Sequence, residues 1–290
     1  MAECALPQMM GNKMIQSPDL VLVVGAEGAI GGKLFYDLLR AEFNIRCLVR
    51  FEDESKVDRK PGVEFFYCDS LEGDIPDAAF DGVKYVVNIV SPLNSGSMRS
   101  EDVEALERLN NVLITRSKSR GVSRYVVLSP VHVADESTSA SPWPGICWHQ
   151  EYSIVNSGVP YSIFRSGLLL GEQNAEAILQ IAQSGGTFSL FGRRSSTVYV
   201  TPIELLTEAI SRSLKTDQSS NRTYDVSMDK PVVRKELSRM IVSSAKLRKF
   251  SGWEAETQVE LSSSRHGGDI HSVAELELQP HDYERTLQRA

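Results

Sequence analysis

The sequence predicts an α/β fold built on a doubly wound parallel sheet, and three observations carry that prediction. Strand and helix signals alternate through about the first two hundred residues. The strand candidates read as continuous apolar runs, such as Tyr85-Val86-Val87-Asn88-Ile89-Val90, the pattern of strands covered on both faces. A glycine turn, Gly25-Ala26-Glu27-Gly28-Ala29-Ile30-Gly31, joins the first strand candidate to the first helix candidate.

The elements follow in order. Leu20–Val24 is an apolar strand, and Gly31–Glu42 is an amphipathic helix. Ile45–Arg50 and Val63–Tyr67 are the next strands, and Lys84–Val90 is the fourth. In the helix predicted over Ser100–Arg120, Val103, Leu106, Leu109, Leu113 and Ile114 share one stripe. Arg124–Ser129 is a strand, Gly145–Ser157 a helix and Tyr161–Arg165 a sixth strand. Beyond residue 166 the pattern loosens. Helices are expected over Ala175–Ser184, Pro202–Leu214, Arg234–Ala245 and Pro280–Gln288, and a strand over Thr223–Val226. Pro202 is acceptable in a first turn. The expected organisation is a loose tail over 1–18, a core over 19–165, and later segments plus a small C-terminal lobe over 166–290.

Composition excludes several function classes. The chain has 290 residues, 41% hydrophobic and 24% charged, with a net charge of −7. That is an ordinary globular balance, and it offers no basic excess with which to neutralise nucleic-acid phosphates or an anionic membrane. No apolar run reaches the length of a membrane span. The four cysteines, Cys4, Cys47, Cys68 and Cys147, form no C-x-x-C pair, so buried free thiols in a reducing compartment are expected. The N-terminal stretch has neither the order of a secretory signal nor the arginines of a transit peptide. The cytoplasm is the expected location, and an organelle would require a presequence beyond these residues. The histidines show no metal-ligand spacing, so no metal is expected.

The glycine turn carries the functional expectation. Gly25 lets the chain leave the strand in a turn that a side chain would block. Gly28 admits a pyrophosphate close to the backbone, and Gly31 permits close packing of the helix. The helix start offers free N–H groups and the positive end of its dipole. A dinucleotide is therefore the expected ligand, with contacts at Gly25, Glu27, Gly28, Ala29, Ile30 and Gly31. Further contacts are expected where strands end. Arg50 closes the second strand at the position where NAD binders carry a carboxylate for the ribose hydroxyls. A guanidinium binds a 2′-phosphate bidentately, so NADP(H) is favoured over NAD(H). Glu52 and Asp53 follow it and are expected to point away. Asp69 either accepts the adenine amino group, with the Ser70 amide nearby, or serves as a turn or helix cap. Val90 and Ser91 pass beside the adenosine ribose. Arg165 ends the sixth strand, where it reaches either a cofactor phosphate or a buried carboxylate.

Four strings taken together resemble the atypical short-chain dehydrogenase/reductase superfamily and, within it, the NmrA-like NAD(P)-binding proteins. They are Val24-Gly-Ala-Glu-Gly-Ala-Ile-Gly31, Leu48-Val49-Arg50, Cys68-Asp69-Ser70 and Ser157-Gly158-Val159-Pro160-Tyr161-Ser-Ile-Phe-Arg165. The last is similar to the family's S-G-x-x-Y-T-I-x-R-P-G block, with Ser166 in place of the proline. The resemblance spans about residues 19 to 245 and implies a Rossmann fold. It also implies a test for catalysis, because catalytic members carry Y-x-x-x-K on the helix before this block. Many atypical members keep K-x-x-x-E. Counting back from Ser157 puts Glu151 at the glutamate, Cys147 at the lysine and Trp143 at the tyrosine. Trp143 lies between Pro142 and Pro144 and is expected outside the helix. Cys147 is expected to be a small buried residue. Ser129 matches the family's active-site serine and is the one catalytic candidate.

Two readings remain. One is an NADP(H)-binding protein with a redox-sensing, regulatory or assembly role and little classical dehydrogenase activity. The other is an NADPH-dependent oxidoreductase acting on a small carbonyl or quinone. A small-molecule substrate or a protein partner accompanies the dinucleotide; nucleic acid and a membrane span do not.

Overall fold

The computed structural model describes residues 18–57, 59–68, 75–90, 100–130, 143–171, 197–227, 232–233 and 270–271. The strands are β1 (Leu20–Val24), β2 (Asn44–Arg50), β3 (Val63–Cys68), β4 (Val83–Asn88), β5 (Arg124–Pro130), β6 (Tyr161–Ser166), β7 (Leu168–Leu170), β8 (Thr197–Val198), β9 (Val200–Pro202), β10 (Arg222–Val226), β11 (Val232–Val233) and β12 (Ile270–His271). The helices are α1 (Gly31–Arg40), α2 (Ser100–Ser119), α3 (Trp143–Val155) and α4 (Ile203–Ser213). The principal sheet has eight parallel strands in the order β12-β10-β6-β5-β4-β1-β2-β3. Strand order reverses at the β1/β4 boundary, where open α/β sheets form a crevice beyond the strand ends.

The two faces of the sheet carry separate apolar layers. Val21, Val23, Cys47, Val87, Val126 and Phe164 pack towards α1 and α4. Leu22, Val24, Leu48, Val86, Val127 and Ile163 pack in a second cluster with Leu109 and Leu113 of α2 and Ile154 of α3. This is why the strands read as unbroken apolar runs. Two short pairs, β7 with β9 and β11 with β8, lie outside the main sheet.

Several boundaries differ from expectation, each for a local reason. The first helix ends at Arg40, because Glu42 adopts a left-handed φ of 62° and Phe43 N–H returns to the Leu38 carbonyl at 3.1 Å. The fourth strand ends at Asn88 rather than Val90, because the Asn88 side chain accepts the Val90 N–H at 3.1 Å. The third helix begins at Trp143, not at Gly145. Pro144 is tolerated there because first-turn N–H groups have no intrahelical partner. It ends at Val155, two residues before Ser157. Pro202–Leu214 and Thr223–Val226 match α4 and β10 closely. The helices expected at Ala175–Ser184, Arg234–Ala245 and Pro280–Gln288 lie outside the described residues.

Candidate functional site

The crevice is built first from backbone. Gly25 has a φ of +92°, and a Cβ there would stand 2.7 Å from the Val90 backbone nitrogen. Glycine is thus required at the β1 exit, where the chain after β4 crosses it. At Gly31 a Cβ would collide with the Ala26 carbonyl, so this glycine packs the helix start against its own turn. Gly28 is different. It is exposed, and an added Cβ would meet only the Gly25 carbonyl at 3.6 Å. The packing of the described residues does not demand glycine at position 28, and the space left there fits a close-lying pyrophosphate. The turn is held by Gly28 N–H to the Gly25 carbonyl at 3.3 Å and Gly31 N–H to the Gly28 carbonyl at 3.1 Å. Helix α1 has no side-chain cap and no acidic residue in its first turn. An uncapped positive helix end suits an anion. Glu27 and Ala29 are half-buried at the rim, and Ile30 turns into the core.

A buried polar network fixes the β4 side of the crevice. Asn88 Nδ2 donates to Asn110 Oδ1 at 2.8 Å and to the Tyr125 hydroxyl at 3.2 Å. That hydroxyl donates to Asn110 Oδ1 at 3.0 Å. All three residues are buried, and burial holds the Tyr125 phenol protonated well above its ordinary range. Asn88 therefore aims the Val90 backbone at Gly25. An asparagine inside an otherwise apolar run was the available signal for it.

The end of β2 corrects the sequence reading. Glu52 and Asp53 do not point away from Arg50. Residues Phe51–Lys56 coil into a 3-10 turn that brings both carboxylates back. Arg50 pairs with Glu52, and Arg50 Nη2 lies 2.5 Å from Asp53 Oδ2. Asp69, Ser70 and Ser91 lie outside the described residues.

The other end of the crevice is made of side chains. Arg165 resolves to a buried carboxylate, donating through Nε to Glu151 Oε1 at 3.0 Å and through Nη2 to Oε2 at 2.7 Å. By register, Ser129 and Asp225 flank Arg165 on the two neighbouring strands. Among the described residues, Ser129 Oγ, Gln150 Nε2 and Asp225 Oδ1 are buried without a hydrogen-bond partner. Burial and the Glu151 charge raise the Asp225 carboxyl to about 6, against the opposing pull of Arg165. Cys147 is buried in the apolar cluster with Val127 and Ile154. Its thiol is pushed far up by burial and by Glu151, so it is no thiolate. Trp143 stands at the first position of α3 rather than outside it. His149 is exposed on the same helix.

The NmrA-like family matches residues 17–155 of the chain. Over 241 residues the chain is 22% identical to a photosystem II assembly factor, Ycf39, of Trieres chinensis, covering 79% of this chain and 72% of that protein. It is 28% identical over 146 residues to an NAD-dependent epimerase/dehydratase, ALT6, of Alternaria alternata, covering 44% of this chain and 41% of that protein. The Bordetella bronchiseptica enzyme WbmH, solved in complex with NAD+, superposes with a TM-score of 0.66 at 16% identity, over 94% of this chain and 97% of that one. An NADPH-dependent quinone oxidoreductase of Escherichia coli superposes with a TM-score of 0.54 at 17% identity, over 78% and 74% of the two chains. The fold is the Rossmann-like α/β fold of NAD(P)-binding proteins.

Proposed function

We propose that this chain, an NmrA-like protein over residues 17–155, binds NADP(H) and uses it in a regulatory or assembly role, with little classical dehydrogenase activity. Position 147 carries this reading. A catalytic relative needs a lysine there, and this chain has a thiol 3% exposed in an apolar cluster. The carboxylate one turn later is committed to Arg165 and is not free to move protons. The pyrophosphate would lie over Gly28 at the uncapped start of α1, and Arg50 would meet the 2′-phosphate. When bound, the nicotinamide supplies a hydride acceptor or donor, and the chain's own residues orient it and exclude water. The likeness to an assembly factor supports a protein partner that senses cofactor occupancy. The three described cysteines are buried thiols outside any disulfide, which supports a reducing, cytoplasmic setting. Among the described residues no helix is long and apolar enough to cross a membrane.

Titration with NADPH and NADH tests the cofactor assignment. NADPH binds more tightly to the wild type, and Arg50→Asp reverses the preference. Equal affinities, or an unchanged preference in Arg50→Asp, sink the role given to Arg50.

Ser129 favours a second reading, NADPH-dependent reduction of a small carbonyl or quinone. Its hydroxyl is buried at the end of β5 and has no hydrogen-bond partner among the described residues, which suits it to hold a substrate oxygen. Steady NADPH oxidation by a quinone or carbonyl compound, lost in Ser129→Ala, would establish this reading over the first.

A further inference from the structure

The 3-10 turn after β2 holds a second determinant of cofactor choice. Asp53 is 1% exposed, while its partners Arg50 and Lys56 are 38% and 62% exposed. Glu52, the other carboxylate on Arg50, is 66% exposed. One Asp53 oxygen lies 2.5 Å from Arg50 Nη2, and the other accepts from Lys56 Nζ at 2.6 Å. Burial alone would raise the Asp53 carboxyl, but the Lys56 hydrogen bond and the Arg50 charge more than offset it and hold it ionised. Glu27 of the glycine turn feels this charge too. Its carboxyl is raised by burial first and then by Asp53. Two cations therefore stand among three carboxylates where the adenosine ribose of a dinucleotide would lie.

A 2′-phosphate arriving at Arg50 has to share or displace a carboxylate. Glu52 is exposed and swings into water at little cost. Asp53 does not follow as readily, because its carboxylate is enclosed and held by Lys56 as well as Arg50. We propose that Asp53 is a specificity-determining residue that competes with the 2′-phosphate for the Arg50 guanidinium, and so narrows the chain's preference for NADPH over NADH. This rests on the proposed binding of NADP(H) at Arg50. A free 2′-hydroxyl makes no such demand, so NADH gains nothing from removing the Asp53 charge.

A double-mutant cycle tests it. NADPH and NADH are titrated by their own fluorescence against the wild type, Asp53→Asn, Arg50→Ala and the double variant, with thermal melts to establish folding. In Asp53→Asn the NADPH-to-NADH affinity ratio rises roughly fivefold or more, since a charge in direct contact with the guanidinium is lost. The NADH affinity stays within about twofold, and the gain disappears in the Arg50→Ala background. Asp53→Ser takes the place of Asp53→Asn if the amide proves unstable. An unchanged or reduced ratio overturns the proposal. A gain that persists without Arg50 also overturns it, because it would then reflect only the general field. If no variant binds either cofactor, the cofactor reading fails together with this one, an outcome separable from binding with an unmoved ratio.

Discussion

The two ends of the sheet's carboxyl edge are built on opposite plans. At β1, α1 and β2 the determinants are backbone and glycine, and Gly28 leaves open space that the chain does not need for itself. At β5, α3, β6 and β10 they are buried side chains, and Arg165 and Glu151 there form a buried two-bond ion pair. A backbone cradle survives wide sequence change, because most residues supply the same N–H. A side-chain proton relay does not, since it depends on particular residue types at particular positions. Binding and chemistry are thus separable in this fold, and a chain can retain the first after the second has gone.

Cutting the pair at the second end should give the largest effect. Glu151→Ala removes both carboxylate oxygens that accept from the Arg165 guanidinium, which is 8% exposed, and should destabilise the protein by about 3–5 kcal/mol. The NADPH dissociation constant should not move, because the pair touches none of the residues assigned to the cofactor. Denaturant unfolding with a parallel titration checks both halves. A variant that unfolds normally but loses NADPH would merge the two ends and break the comparison.

The reciprocal variant is Gly28→Val. The residue is exposed, and its Cβ has room in the free protein, so stability without ligand should hardly change. Binding should be lost. The wild type should gain about 2.7 kcal/mol at a hundred times the dissociation constant, a gain absent from the variant. Thermal melts with and without NADPH decide it. Stabilisation retained in full would remove the pyrophosphate from this turn.

The same division explains what could be read in the sequence. The β1–turn–α1 unit was legible because its determinants are contiguous: an apolar run, three spaced glycines and an amphipathic stretch. Asn88 ended β4 early through a hydrogen bond to its own near neighbour, which an apolar run hides. The grip of Asp53 on Arg50 depends on the chain coiling back after β2, and charge alone does not predict that direction. The sequence does not mark Asp225, since its burial requires β10 to join β6 across more than fifty residues. It offers Arg165 two partners, and only the packing of α3 on β6 selects Glu151.

Asp225 gives a pH-dependent prediction of intermediate size. Its carboxyl rises from an ordinary 3.8 to about 6, so the folded protein binds its proton more tightly than the unfolded chain. Stability from this group is then present at low pH and is lost as pH climbs from about 4 through about 6. Asp225→Asn should be close to neutral near pH 4 and should stabilise by about 3 kcal/mol above pH 6. Unfolding curves collected across that range would show the two proteins diverging with pH. Parallel curves would mean that Arg165 fully compensates both carboxylates. The second end would then be a closed ion-pair triad with no strain of its own.

The smallest effect is the most informative about chemistry. Cys147→Ala removes one buried thiol from an apolar cluster and should cost about 1 kcal/mol of stability. It should leave the NADPH dissociation constant unchanged. Residual NADPH oxidation, if any is measured with carbonyl or quinone acceptors, should be equally insensitive, because a thiol held protonated by burial neither attacks nor shuttles a proton at neutral pH. Replacing the pair with Trp143→Tyr and Cys147→Lys sharpens the same point. Position 143 now stands at the first residue of α3, on the same helix as 147. The lysine, however, would enter a site 3% exposed, where desolvation drives it neutral and deprives it of its role. Turnover should therefore not rise toward that of a catalytic relative, which gains about a hundred- to ten-thousandfold from general acid–base help. Robust wild-type turnover abolished by Cys147→Ala would reverse the assignment, moving the chemistry of this chain to a thiol that the fold otherwise buries as packing.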